Sequence, residues 1–207
     1  MIRSHGITIV RDGAPPRRIL SEEREIMHGI IFTELQKYVE TKFGATGWIR
    51  LLETAGLSSR MYVPIYAYPD EELARIVATA SAMTHLDASV ILEDFGVSLA
   101  PGLLRMYGSL LNKEWRTLEV VEHTETTIHR VVRMKQPDAA PPYLRATRTG
   151  DQQVMVIYDS PRRLCQVAVG IVRGMAQHFG DSITIRQDRC MHKGDVECVL
   201  IVEQVLV

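Results

Sequence analysis

Tyr158-Asp159-Ser160-Pro161-Arg162-Arg163-Leu164-Cys165 marks the point where a strand hands over to a helix, and the chain differs in character on its two sides. Just before it, residues 143–148 and 154–158 flank a Gly150-Asp151 turn, the pattern of a hairpin. Within it, Ser160-Pro161 offers an N-cap followed by Pro at a first helical position, which predicts a helix over 161–179 stopped by Gly180. Beyond, 182–186 and 198–207 read as two further strands, the second β-branched enough to be buried. Upstream the periodicity is helical. Met27, Ile30, Ile31, Leu35, Tyr38, Val39 and Phe43 form a 3.6-period stripe ended by Gly44. A short helix over 48–54 ends at Gly56, and Asp70, Glu71 and Glu72 open a helix running to about 85. Two more are predicted over 88–107, interrupted near Gly96 and Pro101-Gly102, and over 114–134. Pro137, Pro141 and Pro142 then mark a stiff connection that cannot continue the helix. Helices first and mostly antiparallel strands later describe an α+β fold, an N-terminal helical subdomain packed on a C-terminal four-stranded sheet with helices.

Residues 1–26 stand apart. Arg3, Arg11, Arg17 and Arg18 face a single acid up to residue 20, beside Gly13 and Pro15-Pro16, so a flexible extension is expected before a single domain over 27–207. The 207 residues are 46% hydrophobic and 24% charged, enough for one domain with a sizeable core. Lys and Arg total 24 against 25 for Asp and Glu, so no global field would hold nucleic acid or an anionic membrane. Three cysteines are too few and too odd for a secreted disulfide scaffold. With no bilayer-spanning apolar run and no signal-peptide pattern, a cytoplasmic location is expected.

The chemistry-bearing residues fall into three groups. Seven histidines include His123 and His129 on one predicted helix, but no metalloprotease, nucleophile-elbow or phosphate-loop motif accompanies them. Tyr158 and Ser160, two apart on an extended segment, aim their hydroxyls the same way. Arg162 follows in the predicted first helical turn, where free N–H groups already favour an anion. Together they make a carboxylate clamp. The competing reading is an Arg paired with a local acid while Ser caps the helix. Cys165, Cys190 and Cys198 surround a Gly194 turn with His192 nearby, a set open either to tetrahedral zinc or to inert core thiols.

Taken in order, these segments resemble the haem nitric oxide/oxygen-binding family, H-NOX, in its stand-alone bacterial type, related to the haem domain of soluble guanylate cyclase. The resemblance runs from 27 to about 204. It rests on Met27-His-Gly-Ile-Ile-Phe32, Tyr38-Val39, Phe43-Gly44 through Trp48, Tyr68-Pro69-Asp70-Glu71-Glu72-Leu73, Phe95-Gly96, Ile128-His129-x-x-Val132, Pro141-Pro142 and Tyr158-x-Ser160-x-Arg162.

The resemblance implies haem b held between the two parts. His129 would be the iron ligand, Tyr158, Ser160 and Arg162 the propionate clamp, and Pro142 the residue pressing the porphyrin out of plane. Ile31, Leu35 and Val167 would form the distal wall. Oxygen-binding members carry a tyrosine at the position of Val167, so an apolar wall implies a sensor selective for nitric oxide, with carbon monoxide also binding. Signalling would pass to a separate protein, a histidine kinase or a cyclic-di-GMP enzyme, through a change at the His129 bond. No enzymatic activity, nucleic-acid partner or membrane partner is expected. Some members bind zinc through four cysteines. Cys165, Cys190 and Cys198 fit three of those places and Gln187 holds the fourth, which leaves a cysteine/zinc redox-sensing module as the alternative.

Overall fold

A computed structural model describes residues 26–135 and 140–205. The predicted extension, save Ile26, and Pro137 lie outside the described residues. The described part opens with a short strand, β1 (Ile26–His28), rather than directly with a helix, so Ile26 belongs to the fold and not to the extension. β1 pairs antiparallel with β2 (Ala67–Pro69). Gly29 follows at a spot where only glycine fits: a Cβ there would collide with the backbone carbonyls of Val63 and Tyr66. From Gly29 runs α1 (Gly29–Thr54), kinked at Gly44, whose φ of 73° breaks the helix where the hydrophobic stripe ends.

Next come α2 (Asp70–Thr84), closed by His85 in the left-handed region, and α3 (Ala88–Tyr107). The expected interruption of α3 does not occur. Pro101 sits inside the helix, and Gly96 lets α6 (Cys165–Phe179) approach so closely that a Cβ on Gly96 would lie 2.9 Å from Gly170 Cα. The helix carrying His129 is α4 (Thr117–Thr124), a five-residue π-helical segment Glu125–His129, and α5 (Arg130–Lys135).

The C-terminal part is a four-stranded antiparallel sheet, ordered β3-β4-β6-β5. Its strands are β3 (Tyr143–Gly150), β4 (Gln153–Asp159), β5 (Ile183–Arg189) and β6 (Cys198–Gln204). On β4 the alternation of a half-covered sheet buries Val154, Val156 and Tyr158. Leu118 and Val121 of α4 and Val169 of α6 pack on that face with Leu200 and Val202. The helical part has its own core, built around Phe32, whose ring stacks on Tyr62 at 4.4 Å between centroids. Among the described residues no helix is long and apolar enough to cross a membrane.

One predicted boundary needs correction. α6 begins at Cys165, not at Pro161, because Arg163 adopts φ of 52° and interrupts the helical path. Ser160 Oγ therefore caps a tight turn, accepting from the Arg162 N–H at 3.3 Å, and not the helix. Arg162 precedes the helix instead of lying in its first turn, so the helix N-terminus adds nothing to its pull on an anion.

Candidate functional site

Between the helical part and the sheet lies a cavity of about 300 Å³. Its walls are mostly apolar: Met27, Ile30 and Ile31 from the start of the chain's described part, Phe95, Leu99 and Leu103 from α3, and Val167, Ile171 and Met175 from α6. Val156, Leu200 and Val202 close it on the sheet side. His28, Glu34, Tyr107 and Thr124 also line it, and the polar groups that bear on its chemistry form two sets. One is His129 with the Pro141-Pro142 loop, and the other is the trio Tyr158, Ser160 and Arg162.

His129 is largely buried, with its side chain 15% exposed. Its Nδ1 lies 3.2 Å from Glu125 Oε2, so the ring carries its proton there and Nε2 is the atom left for a ligand bond. Burial pushes the imidazole pKa below its ordinary value and outweighs the opposing pull of Glu125, which keeps the ring neutral at neutral pH. Glu125 is itself anchored. It accepts from Arg133 Nη1 at 2.5 Å and from the Leu144 N–H at 3.1 Å. Burial alone would raise its carboxyl, but Arg133, Leu144 and His129 hold it below the usual carboxylate range. Arg133 also donates to the Pro142 carbonyl at 3.0 Å, tying the proline loop to the histidine-bearing helix.

At the clamp, Tyr158 and Ser160 are both almost fully buried. Burial pushes the Tyr158 hydroxyl up to about 12, partly opposed by Ser160 and the Leu164 backbone, so it remains a donor at physiological pH. The guanidinium of Arg162 bonds Asp70 Oδ2 through Nε at 2.6 Å, the Ala140 carbonyl at 2.7 Å and the Ile26 carbonyl. The reading of Arg162 as an ion-pair partner is thus met, by an acid ninety-two residues away rather than a local one. A five-donor guanidinium with these three bonds keeps N–H groups for a carboxylate as well.

The described residues therefore present what a flat apolar disc with two carboxylates at one edge requires: a neutral imidazole, an apolar slot and a clamp of two hydroxyls with a guanidinium. Haem is compatible with this donor set: His129 would hold the iron, and Tyr158, Ser160 and Arg162 would hold the propionates.

Leu35 departs from its expected place. It lies in the helical core and does not line the cavity, whereas Glu34 does. Each helical residue turns the side chain by about 100°, and the cavity face of α1 centres on Ile30, Ile31 and Glu34, leaving Leu35 one step further round. Three residues that sequence reading passed over are Glu125, Asp70 and Tyr107. The four-residue spacing of Glu125 to His129 is a readable helical-pair signal. Asp70 is paired with Arg162 only by folding, and Tyr107 lines the cavity from the end of α3.

The three thiols do assemble. Cys165, Cys190 and Cys198 are buried with their sulfurs all within 4.8 Å of one another. Tetrahedral zinc with bonds of about 2.3 Å needs sulfurs about 3.8 Å apart, and Cys165 and Cys190 are 4.0 Å apart. His192 is not brought to them, because its Nε2 lies 2.7 Å from the Arg163 carbonyl. Burial pushes the Cys165 thiol up to about 12 and raises Cys198 too, which favours neutral thiols. The described residues supply three donors, not the four of a closed zinc site.

Comparison with known proteins adds independent support. The family model described as Haem-NO-binding matches residues 28–187. An H-NOX protein from Shewanella oneidensis, in its Fe(II)NO ligation state, is 32% identical with a TM-score of 0.81, over 87% of this chain and all of that one. The NMR structure of that organism's H-NOX domain in the Fe(II)CO state is 31% identical with a TM-score of 0.78, over 87% of this chain and 100% of that one. A Fe(II) unliganded H-NOX protein from K. algicida is 25% identical with a TM-score of 0.77, over 87% and 98%. No curated protein matches the chain.

Proposed function

The chain belongs to the haem-NO-binding family of haem-based gas-sensor domains, and from that membership we propose that it senses nitric oxide through haem b and passes the signal to a separate protein. The observation that carries this reading is the single cavity bounded by a neutral, buried His129 on one wall and by Tyr158, Ser160 and Arg162 on another. When bound, haem b supplies a ferrous iron able to take up a diatomic gas. The chain's residues do the rest. His129 would hold the iron through Nε2, and the clamp would fix the disc's charged edge. Pro142, which also lines the cavity, would press on the disc.

Gas choice follows from the remaining walls. Bound oxygen draws negative charge and gains from a hydroxyl donor, whereas nitric oxide needs one much less. Ile31 and Val167 offer no donor, which supports selectivity for nitric oxide with carbon monoxide also accepted. The relatives captured with nitric oxide and with carbon monoxide fit the same reading.

Signalling requires two arrangements between which the gas discriminates. A swing from 1:99 to 99:1 takes about 5.5 kcal/mol of differential binding. Release of His129 would leave the π-helical segment, α5 and the Pro142 loop as the parts able to move. α4 is pinned to β3 by the Arg148 guanidinium, 2.8 Å from Glu119 and 2.9 Å from Glu122, whereas 125–135 is tied there through the Leu144 N–H and the Pro142 carbonyl, so movement would concentrate on that segment. A histidine kinase or a cyclic-di-GMP enzyme is the kind of partner that would read it. The test is His129→Gly loaded with haem and free imidazole, which separates the iron bond from the helix. Nitric oxide should shift the amide exchange of 125–135 in the wild type and leave it unchanged in the variant. An equal shift in both would overturn the tether.

The buried thiol cluster carries a second reading, a cysteine/zinc redox-sensing module on the same scaffold. Metal analysis of fully reduced protein decides it: stoichiometric zinc supports the module, and its absence removes it.

A further inference from the structure

Three groups converge on the carboxylate of Glu125. His129 Nδ1 and the Leu144 N–H reach Oε2 at 3.2 and 3.1 Å, while Arg133 spans both oxygens, at 2.5 Å to Oε1 and 3.4 Å to Oε2. The acid and the histidine stand at the two ends of the π-helical segment, where the Arg130 N–H bonds back to the Glu125 carbonyl in place of the usual α-helical partner. Such segments occur mostly as single turns inside α-helices, and frequently at functional sites. The arrangement is also partly buried: the Glu125 and Arg133 side chains are 25% and 26% exposed, so solvent screens the pair only in part.

We propose that Glu125 is the positioning residue that sets the strength of the His129–iron bond, and that Arg133 moderates it. This inference rests on the reading of His129 as the haem ligand. A carboxylate accepting the Nδ1 proton fixes the tautomer, aims the Nε2 lone pair into the cavity and draws the shared proton towards itself. That makes Nε2 a stronger donor to a metal. Arg133 acts in the opposite sense. Its guanidinium takes charge density from the same two oxygens and lowers their pull on the proton. The pair therefore sets how readily His129 lets go when a gas binds on the other side. Leu144 and Pro142 enter the same set of bonds, through its N–H and its carbonyl, so the strength of the iron bond and the position of the proline loop are adjusted together.

Two substitutions of opposite expected sign test this on the haem-loaded full chain. Glu125→Gln keeps an acceptor of the same shape and removes the charge. Arg133→Met leaves the carboxylate and removes its neutralising partner. The iron–histidine stretching band of the unliganded ferrous protein, read by resonance Raman, should fall in frequency in E125Q and rise in R133M. Loss of His129 on nitric oxide binding should be about tenfold faster in E125Q and slower in R133M. Simple loosening of the helix would move both variants the same way. Same-direction shifts, or no shift in either variant, overturn the proposal while leaving the ligand assignment intact. His129→Gly without imidazole is measured alongside. A band that survives unchanged in it shows that His129 is not the ligand, which overturns the assignment and this inference with it.

Discussion

Arg162→Ala is expected to damage the fold as well as the haem site. In the sequence Arg162 reads as a propionate clamp, whose removal would weaken haem retention alone. In the structure its Nε holds Asp70 Oδ2 at 2.6 Å with both side chains only 13% exposed, and its terminal nitrogens hold the Ile26 and Ala140 carbonyls. Removing it strands the Asp70 carboxylate, whose buried Oδ1 already lacks a hydrogen-bond partner among the described residues. Breaking one side of a buried pair costs about 3–5 kcal/mol. Taking the lower end, and a urea dependence of about 2 kcal/mol per M, the unfolding midpoint should fall by about 1.5 M. Asp70→Asn in the same chain removes the stranded charge, so the double variant should recover about half of that loss. Haem retention should stay low in the double variant, because the clamp's cation is still missing. Urea melts of the four proteins, each with its haem content, give the complete cycle. An R162A midpoint within about 0.3 M of wild type, or a D70N loss that simply adds to that of R162A, would refute this account of the pair.

Other outcomes follow from single positions. Gly170→Ala should lower the melting temperature by about 6 °C, from roughly 2 kcal/mol of overpacking. Its Cβ would lie 2.8 Å from Gly96 Cα and overlap the Glu93 carbonyl. The ferrous protein should show no stable oxygen complex in air, whereas Val167→Tyr should gain one. An oxygen complex in the wild type that disappears in Tyr107→Phe would identify Tyr107 as a donor, since Tyr143 is 66% exposed and lies outside the cavity wall. Asp181, its side chain 3% exposed, binds Arg116 at 2.6 Å and Thr117 Oγ1 at 2.6 Å. Burial would raise its carboxyl, but Arg116 and Thr117 outweigh it and depress the folded-state pKa. The stability it contributes is present above the unfolded value of about 3.9 and is lost as pH falls through the lower folded value. Asp181→Asn should therefore cost about 2 kcal/mol at pH 7 and flatten the stability profile below about pH 4, as read by urea melts across pH.

The order of helices and strands was legible because its signals are local: the stripe from Met27 to Phe43, the Gly150-Asp151 turn, and the acids opening α2. What local signals hid was set by packing. Pro101 should have broken α3, yet the close seat of α6 against Gly96 accompanies an unbroken helix. Ser160-Pro161 carries the chemistry of a helix start, but the left-handed turn at Arg163 postpones the helix to Cys165. His129 and Tyr158-x-Ser160-x-Arg162 were identified by resemblance, since neither lone histidines nor one arginine specify haem. Leu35 shows the limit of such carry-over, because a helix position can match a family's wall while this chain turns it into the core. The Asp70–Arg162 pair was out of reach, as nothing local joins residues so far apart.

The central claim is that His129 supplies the protein's bond to haem iron. Haem titrated into the purified chain and into His129→Gly, with and without imidazole, tests it most directly through the Soret band of the ferrous protein. The wild type should take up one haem per chain with a histidine-ligated spectrum, which His129→Gly loses and free imidazole restores. An identical spectrum in wild type and His129→Gly, or a spectrum abolished instead by His123→Ala, would contradict the claim.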